Sequence, residues 1–363
     1  MKVLLENAPF WFHDLGNCLH DCFGTLLLRQ GIDPVEALGA GWEFHHDPTQ
    51  VRGEEFYHPA PRPTLGENLM PFHPVSARWR EPDSAEEGWD GIRKSIMDGR
   101  PVLAAVDNFY MPIRPAFGDV HAAHLVVVWG FDDEAREAYV LEATPPLYAG
   151  PLALDDFLRA RGSANEARPR TRDYFFAGPQ ICHRWIDVEF TGPAPHVTAA
   201  WASGVVARNV RGWLAPADAR RAGLSGLRHW LADIAGRCAA GDVAGGLGEL
   251  YSVGWAAQGA AALHADFLRA MGNRFGSDGL VHAGRQVDSL ANQWTGLRIF
   301  GAHGSTTGEA YATQLRRRTR RLLADHENVL DRLAAASGDL DGPAAPAVPR
   351  HLAATGVRAP GPA

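Results

Sequence analysis

The sequence has few cysteines and no long hydrophobic run. Its 363 residues include four cysteines, and their positions do not form the paired spacing that binds zinc. Sparse, unpaired cysteines are typical of a reducing compartment, so we expect free thiols and a cytoplasmic protein. The N-terminal segment lacks the apolar core of a signal peptide, and no stretch reaches the roughly 18 apolar residues of a membrane span. We therefore expect no membrane partner.

Lysine is also scarce. The formal net charge is −7 at pH 7, and this argues against a general nucleic-acid binder. Lys2 and Lys94 are the only lysines, so almost all positive charge comes from arginine. The densest positive run predicts either the solvated face of a helix or a local docking surface for an acidic partner. It consists of Arg316, Arg317, Arg318, Arg320 and Arg321.

The composition changes along the chain. Residues 1–195 mix glycine, proline and aromatic residues with short apolar runs, and they predict an α+β domain. Residues 196–337 are rich in alanine, arginine and leucine with a helical period, and they predict a helical domain of four or more helices. Residues 338–363 are rich in proline, alanine and glycine, and we expect a disordered tail.

Local patterns place three chemically useful residues on defined elements. Asn17 is a good N-cap, so Cys18 falls in the first turn of a helix, where the helix dipole favours the thiolate and should lower the thiol pKa. His124 opens a predicted strand, and Glu142 lies on the return strand of the same hairpin, whose turn is at Asp132 and Asp133. A cysteine at a helix start, a histidine on a strand and an orienting acid form a papain-like nucleophilic site.

Each of these residues also has a simpler interpretation. A free cysteine in an apolar helix is usually a small buried hydrophobic residue, and Cys22, one turn after Cys18, fits the core better. Histidine pairs at 45–46 and at 121 and 124 suggest a metal site, but no clustered carboxylates accompany them. We therefore predict no metal, and we expect His121 to be a loop residue that lines the cleft.

The longer motifs resemble a known family. These are the Asn17-Cys18 pair, ALGAGWEF, VDNFYMPIRPAFGDVHAAHLVVVWGFDD and YVLEATPP, and together they span roughly residues 14–160. They are similar to the N-terminal domain of butirosin biosynthesis protein H, which has a papain-like fold, and LHADFLRAMG resembles the helical domain that often follows it. In that family an acyl group moves from an acyl carrier protein thioester to an amine of an antibiotic precursor. The resemblance implies no cofactor, because the substrate arrives on a phosphopantetheine arm.

The resemblance also assigns roles to residues. Cys18 corresponds to the nucleophile, His124 to the base, and Glu142 stands where the family usually has aspartate. The extra methylene moves the carboxylate by roughly a bond length, so Asp107 or Asn108 stays an alternative orienting group, as does a cysteine–histidine dyad. The oxyanion donors we expect are the Cys18 amide and a side chain, Asn7 or Asn17, although Asn17 is more simply a cap. Candidate cleft residues, which are equally plausible as core residues, are Trp42, Asn108, Phe109, Tyr110 and His121.

Three functions are compatible with these residues. The first is a cysteine-dependent acyltransferase of secondary metabolism that acts on a carrier-bound donor and a small-molecule amine or hydroxyl acceptor. The second is a cysteine hydrolase, either a peptidase, an amidase or a thioesterase, that uses the same site with water as the acceptor. The third is an inactive scaffold that binds a carrier protein, and the intact pair of Cys18 and His124 argues against it.

Overall fold

An antiparallel sheet organises the first half of the chain. The computed structural model describes residues 1–6, 9–166, 177–307 and 311–336. Within them seven strands form one sheet in the order β2-β7-β3-β4-β5-β6, and β1 pairs with the far end of β4. The predicted hairpin is confirmed as β4 and β5, joined by a turn at residues 133–136. The strands are β1 (Lys2–Leu4), β2 (Val75–Arg80), β3 (Val102–Asp107), β4 (Ala123–Asp132), β5 (Glu137–Glu142), β6 (Tyr148–Ala153) and β7 (Trp185–Phe190).

Helices cover both faces of this sheet. Side chains alternate along each strand, so Leu103 and Ala105 of β3 pack toward α1, whereas Val102 and Ala104 pack toward α4 and α5. The result is the predicted α+β architecture, with the first helix on one face of the sheet. The helices of this part are α1 (Cys18–Arg29), α2 (Pro34–Leu38), α3 (Leu65–Leu69), α4 (Ala85–Met97) and α5 (Leu154–Arg161), with a 3₁₀ turn at Asn108–Tyr110.

In the part of the chain that the structure describes, five helices follow the sheet, as the helical period predicted. They pack around an aromatic core that includes Trp213, Trp230 and Trp294. The segment after α2 also enters this core: Trp42 is 2% exposed, and its ring lies 5.0 Å from that of Trp213 and 5.1 Å from that of His264. The helices are α6 (Ala199–Leu214), α7 (Gly223–Ala239), α8 (Val243–Phe275), α9 (Asp278–Thr307) and α10 (Ala312–Ala336).

Helix α8 packs directly on the start of α1. The indole Nε1 of Trp255 donates to the Gly16 carbonyl at 2.9 Å, and Nε2 of Gln258 donates to the Leu15 carbonyl at 3.0 Å. Gly259 lies against the imidazole of His20, which is 2% exposed. The helical region thus fixes the loop that leads into Cys18.

This contact predicts opposite effects of alanine at two glycines of α8. A Cβ at Gly259 would lie 2.7 Å from Cε1 of the buried His20 ring, whereas a Cβ at Gly248 meets no heavy atom within 4 Å. Gly259→Ala should therefore lower the free energy of unfolding by about 1–3 kcal/mol. Gly248→Ala should raise it by about 0.5–1 kcal/mol through helix propensity. Urea denaturation of the two variants measures both values, and stabilisation by Gly259→Ala would contradict the close contact.

The arginine run lies on the open face of α10. All five arginines are exposed, while Leu315, Leu322 and Leu330 on the opposite face are buried. Among the described residues, no helix combines the length and apolar character that crossing a membrane requires. The predicted boundary at residue 195 falls between β7 and α6, and the predicted tail at 338–363 lies outside the described residues.

Candidate active site

Cys18 is the first residue of α1, and Asn17 fixes its position. The Asn17 side chain accepts a hydrogen bond from the His20 amide at 3.2 Å, which is the predicted N-cap. Its Nδ2 donates to the Glu55 carbonyl at 3.0 Å. The amide of Asn17 therefore ties a loop to the helix start, so the geometry favours a cap over an oxyanion donor. Asn7 lies outside the described residues.

His124 and Glu142 meet on neighbouring strands. Val127 of β4 pairs with Leu141 of β5, so His124 and Glu142 lie diagonally on the same face of the hairpin. The His124 Nε2 lies 2.8 Å from Oε2 of Glu142, and both side chains are fully buried. The longer side chain of glutamate thus reaches the ring. The other side of the imidazole faces Cys18, with which it forms a side-chain hydrogen bond.

Glu55 is a fourth member of this cluster. Its Oε2 lies 3.0 Å from Nδ1 of His124. Ligand atoms of Cys18, Glu55 and His124 all lie within 4.8 Å of one another, a set that could also hold a metal ion. Sequence reasoning missed Glu55 because it lies in an irregular loop, where no periodicity predicts the direction of a side chain. The available signal was the pair of adjacent acids at 54 and 55.

Charge in this cluster opposes a free thiolate in the resting protein. Burial raises the pKa of the Cys18 thiol strongly, and Glu55 raises it further, while His124 acts in the opposite direction. The prediction of a lowered thiol pKa is therefore wrong for this state, because burial and a neighbouring carboxylate outweigh the helix start. Burial disfavours a charged His124, but Glu142, Cys18 and Glu55 together raise its pKa well above the ordinary value. The raised pKa favours the imidazolium form of His124, whose two ring nitrogens lie against Glu55 and Glu142.

Glu142 is itself held from several directions. Its Oε1 accepts a hydrogen bond from the Thr144 amide at 2.9 Å, and Nη1 of Arg114 lies 3.3 Å from its Oε2. Arg114 also donates to the Thr144 carbonyl at 2.9 Å. The Thr144 hydroxyl donates to Asp21 of α1 at 2.7 Å, and burial raises the pKa of Asp21 to about 7. These contacts fix the carboxylate that faces His124.

The alternative orienting groups lie against a different histidine. Asp107 is 2.6 Å from Nδ1 of His121 and accepts a hydrogen bond from the Ser163 hydroxyl at 2.6 Å. The ring of His121 stacks on Phe109 at 4.1 Å, with Tyr110 edge-on at 6.0 Å. Asn108 is also buried, and its backbone N–H donates to the Ala122 carbonyl at 2.9 Å. Asp107 thus orders the loop before β4, and Glu142 is the acid that contacts the Nε2 of His124.

The remaining candidates lie outside the cluster. Trp42 belongs to the core of the helical region. Cys22 is buried on α1 and its thiol points to the Leu125 carbonyl at 3.6 Å, as expected for a core cysteine. His46 is 2.8 Å from Glu249. The structure therefore brings Cys18, His124 and Glu142 together, adds Glu55, and places Trp42 in the helical core and His121 beside Asp107.

Replacement of Glu142 should slow the reaction without removing it. Glu142→Gln keeps an oxygen near Nε2 of His124 but removes the charge that stabilises the imidazolium. For the acyl transfer that the sequence predicts, we therefore expect a loss on the order of 10²-fold in the rate of Cys18 acylation. Mass spectrometry of the acyl-enzyme follows this rate. Glu137→Gln makes the same change at the other end of β5 and serves as the control. A wild-type rate in Glu142→Gln would exclude Glu142 from the reaction.

One family of known proteins matches this part of the chain. Residues 17–143 match the family described as butirosin biosynthesis protein H, N-terminal. The match begins at the cap of α1 and ends one residue after Glu142, so all four members of the cluster lie within it. No curated protein matches the chain.

Proposed function

We propose that the chain is a cysteine-dependent acyltransferase. The reason is that residues 17–143 match the N-terminal domain family of butirosin biosynthesis protein H. The family is one of biosynthetic enzymes. The proposed donor is an acyl thioester on a carrier protein, the acceptor is a small-molecule amine, and the setting is antibiotic biosynthesis. No cofactor takes part, because the carrier's phosphopantetheine arm delivers the acyl group.

One observation carries the proposal. His124 contacts Glu142 through one ring nitrogen, at 2.8 Å, and its other side faces Cys18 at the first turn of α1. This is the arrangement that a cysteine nucleophile requires, with a histidine to handle protons and an acid to orient the ring. A thiol nucleophile also suits a thioester donor, because exchange of one thioester for another is nearly thermoneutral.

The first half of the proposed reaction transfers the acyl group to the protein. The Cys18 thiol first loses its proton to solvent, and the thiolate, paired with the His124 imidazolium, attacks the carbonyl carbon of the donor thioester. The donor sulfur leaves and takes the proton of His124, which becomes neutral. The Cys18 amide lies in the first turn of α1, where the N–H groups have no partner within the helix, and it stabilises the oxyanion.

The second half releases the product. An amine attacks the acyl-Cys18, its nitrogen loses a proton to neutral His124, and the thiolate leaves, which restores the ion pair. Water in place of the amine would make the same site a hydrolase. The exposed arginine face of α10 offers a positive surface for an acidic carrier protein on a chain that is otherwise net negative.

Intact mass spectrometry tests this function. Incubation with a panel of acyl-loaded carrier proteins should add the acyl mass to the protein, and peptide mapping should place it on Cys18. Addition of amines should then release an amide faster than water releases the acid. Peptide cleavage without any acyl transfer from the loaded carriers would favour the hydrolase. No modification of Cys18 and no cleavage would favour the scaffold.

A further inference from the structure

The loop residue Glu55 has no role in a simple cysteine–histidine–acid mechanism. It raises the thiol pKa of Cys18 and so opposes formation of the nucleophile. It nevertheless lies 3.0 Å from Nδ1 of His124, inside the cluster. A carboxylate that hinders the first half of the reaction and still contacts the histidine suggests a task in the second half.

The backbone around Glu55 is held in place from both sides. The neighbouring Glu54 forms a buried ion pair with Arg184 at 2.8 Å, and the Glu55 carbonyl accepts a hydrogen bond from Asn17. Glu55 is also the cluster member nearest to solvent: its side chain is 11% exposed, whereas Cys18, His124 and Glu142 are fully buried. Of the four side chains, that of Glu55 is therefore the one that presents surface to solvent.

The acceptor must lose more protons than His124 alone can take. An alkyl amine has a pKa near that of lysine, roughly 10.4, so at pH 7 only about one molecule in 10³ carries a free electron pair. An ammonium ion must lose two protons to become an amide, and neutral His124 takes one of them. A second acceptor is needed close to the acyl-cysteine.

We propose that Glu55 binds the ammonium group of the acceptor and takes its first proton, which makes the site selective for amines over water. This inference rests on the proposed acyltransferase function and adds a residue to it. The carboxylate attracts a cation and gives no such advantage to neutral water. Transfer of a proton from a desolvated ammonium to a desolvated carboxylate removes two charges from a buried site.

The charge that His124 places next to Glu55 is lost between the first and the second half of the reaction. Burial opposes ionisation of Glu55 most strongly, but His124, Arg114 and Arg298 outweigh it and hold its pKa below the ordinary value in the resting protein. After acylation His124 is neutral, so the first of these three charges is gone and burial raises the proton affinity of Glu55. The groups that act on Glu55 are Cys18, Asp21 and Cys22 of α1, Arg114 of the loop before β4, His124 of β4 with its partner Glu142 of β5, and Arg298 of α9.

The proton balance closes over the second half of the reaction. Glu55 takes one proton from the ammonium, and the neutral nitrogen attacks the carbonyl carbon of acyl-Cys18. The carbon–nitrogen bond forms while the carbonyl electron pair moves to oxygen. The oxyanion collapses, the carbon–sulfur bond breaks, and His124 takes the second nitrogen proton. The thiolate and imidazolium are restored, and Glu55 releases its proton to solvent.

Glu55→Gln should separate the two halves of the reaction. With S-butyryl-N-acetylcysteamine as donor, Cys18 acylation should become faster, because the charge that opposes the thiolate is gone. Release by butylamine at pH 7 should fall about 10²-fold or more. Release by methoxyamine, which is unprotonated at pH 7, should change by less than about 3-fold. In the variant, the rate at which butylamine releases the acyl group from Cys18 should rise tenfold per pH unit, because only the free base then reacts. In the wild type this rate should rise less steeply.

Controls distinguish this role from a structural one. Glu134→Gln removes the same charge from an exposed turn and should leave all rates unchanged. Glu55→Asp keeps a carboxylate but shortens it by one methylene, and it should give an intermediate butylamine rate. Thermal denaturation of each variant checks folding. Iodoacetamide labelling, with the exposed Cys182 as internal reference, should modify Cys18 faster in Glu55→Gln than in the wild type.

Several outcomes would overturn the inference. Equal loss with butylamine and methoxyamine would indicate damage to the site, and no loss with butylamine would remove Glu55 from amine activation. Slower labelling of Cys18 in Glu55→Gln would mean that Glu55 activates the thiol. Absence of an acyl mass on wild-type Cys18 from the thioester and from every loaded carrier protein would instead overturn the acyltransferase function itself, and with it this role.

Discussion

Cys18→Ala should abolish acyl transfer. The proposed reaction passes through a thioester on this thiol, so its removal leaves no acyl-Cys18, and the rate should fall at least about 10⁴-fold, to the uncatalysed background. The fold should survive, because the change removes one sulfur atom from a site that Asn17 and α8 hold in place. Intact mass after incubation with an acyl thioester measures the loss directly.

The other cysteines provide matched controls. Cys182→Ala changes an exposed thiol and should keep the full rate. Cys22→Ala removes a buried sulfur one turn further along α1, so it should reduce stability through a small cavity but leave acylation within about 10-fold. Loss of acylation in Cys22→Ala together with activity in Cys18→Ala would mean that Cys22, one turn further along α1, is the nucleophile.

Local sequence signals placed the helix and the hairpin that carry the site. Asn17 as a cap and the short apolar run of β4 are short-range features, and each marked the predicted element. The contact between His124 and Glu142 depends in addition on a β-bulge between Val128 and Gly130, which shifts the pairing of β4 and β5 by one residue and brings both side chains to the same face. The helix and the hairpin were predictable because their signals are local, whereas nothing in the sequence pattern marked the bulge.

The remaining features depend on contacts between distant segments. Glu55 reaches His124 from a loop that has no periodic pattern, and Arg298 acts on Glu55 from a helix more than two hundred residues later in the chain. The raised thiol pKa of Cys18 depends on burial, which a sequence pattern does not measure. Trp42 was a candidate cleft residue, but it packs with Trp213 in the helical core, because aromatic residues in loops serve either purpose.

His124→Ala should lower the rate of acylation about 10⁴-fold or more, because it removes both the cation that stabilises the thiolate and the proton donor for the leaving sulfur. It also leaves Glu55 and Glu142 buried without their shared cation, so His124→Asn, which keeps a hydrogen-bond donor there, is needed as a second variant. Both variants should lose acylation in parallel while circular dichroism shows a folded protein, and added imidazole should restore part of the rate in the alanine variant.

His229→Ala changes an exposed histidine on α7 and should have no effect. Retained acylation in His124→Asn, with loss in His121→Ala, would transfer the role of the base to His121 and its partner Asp107.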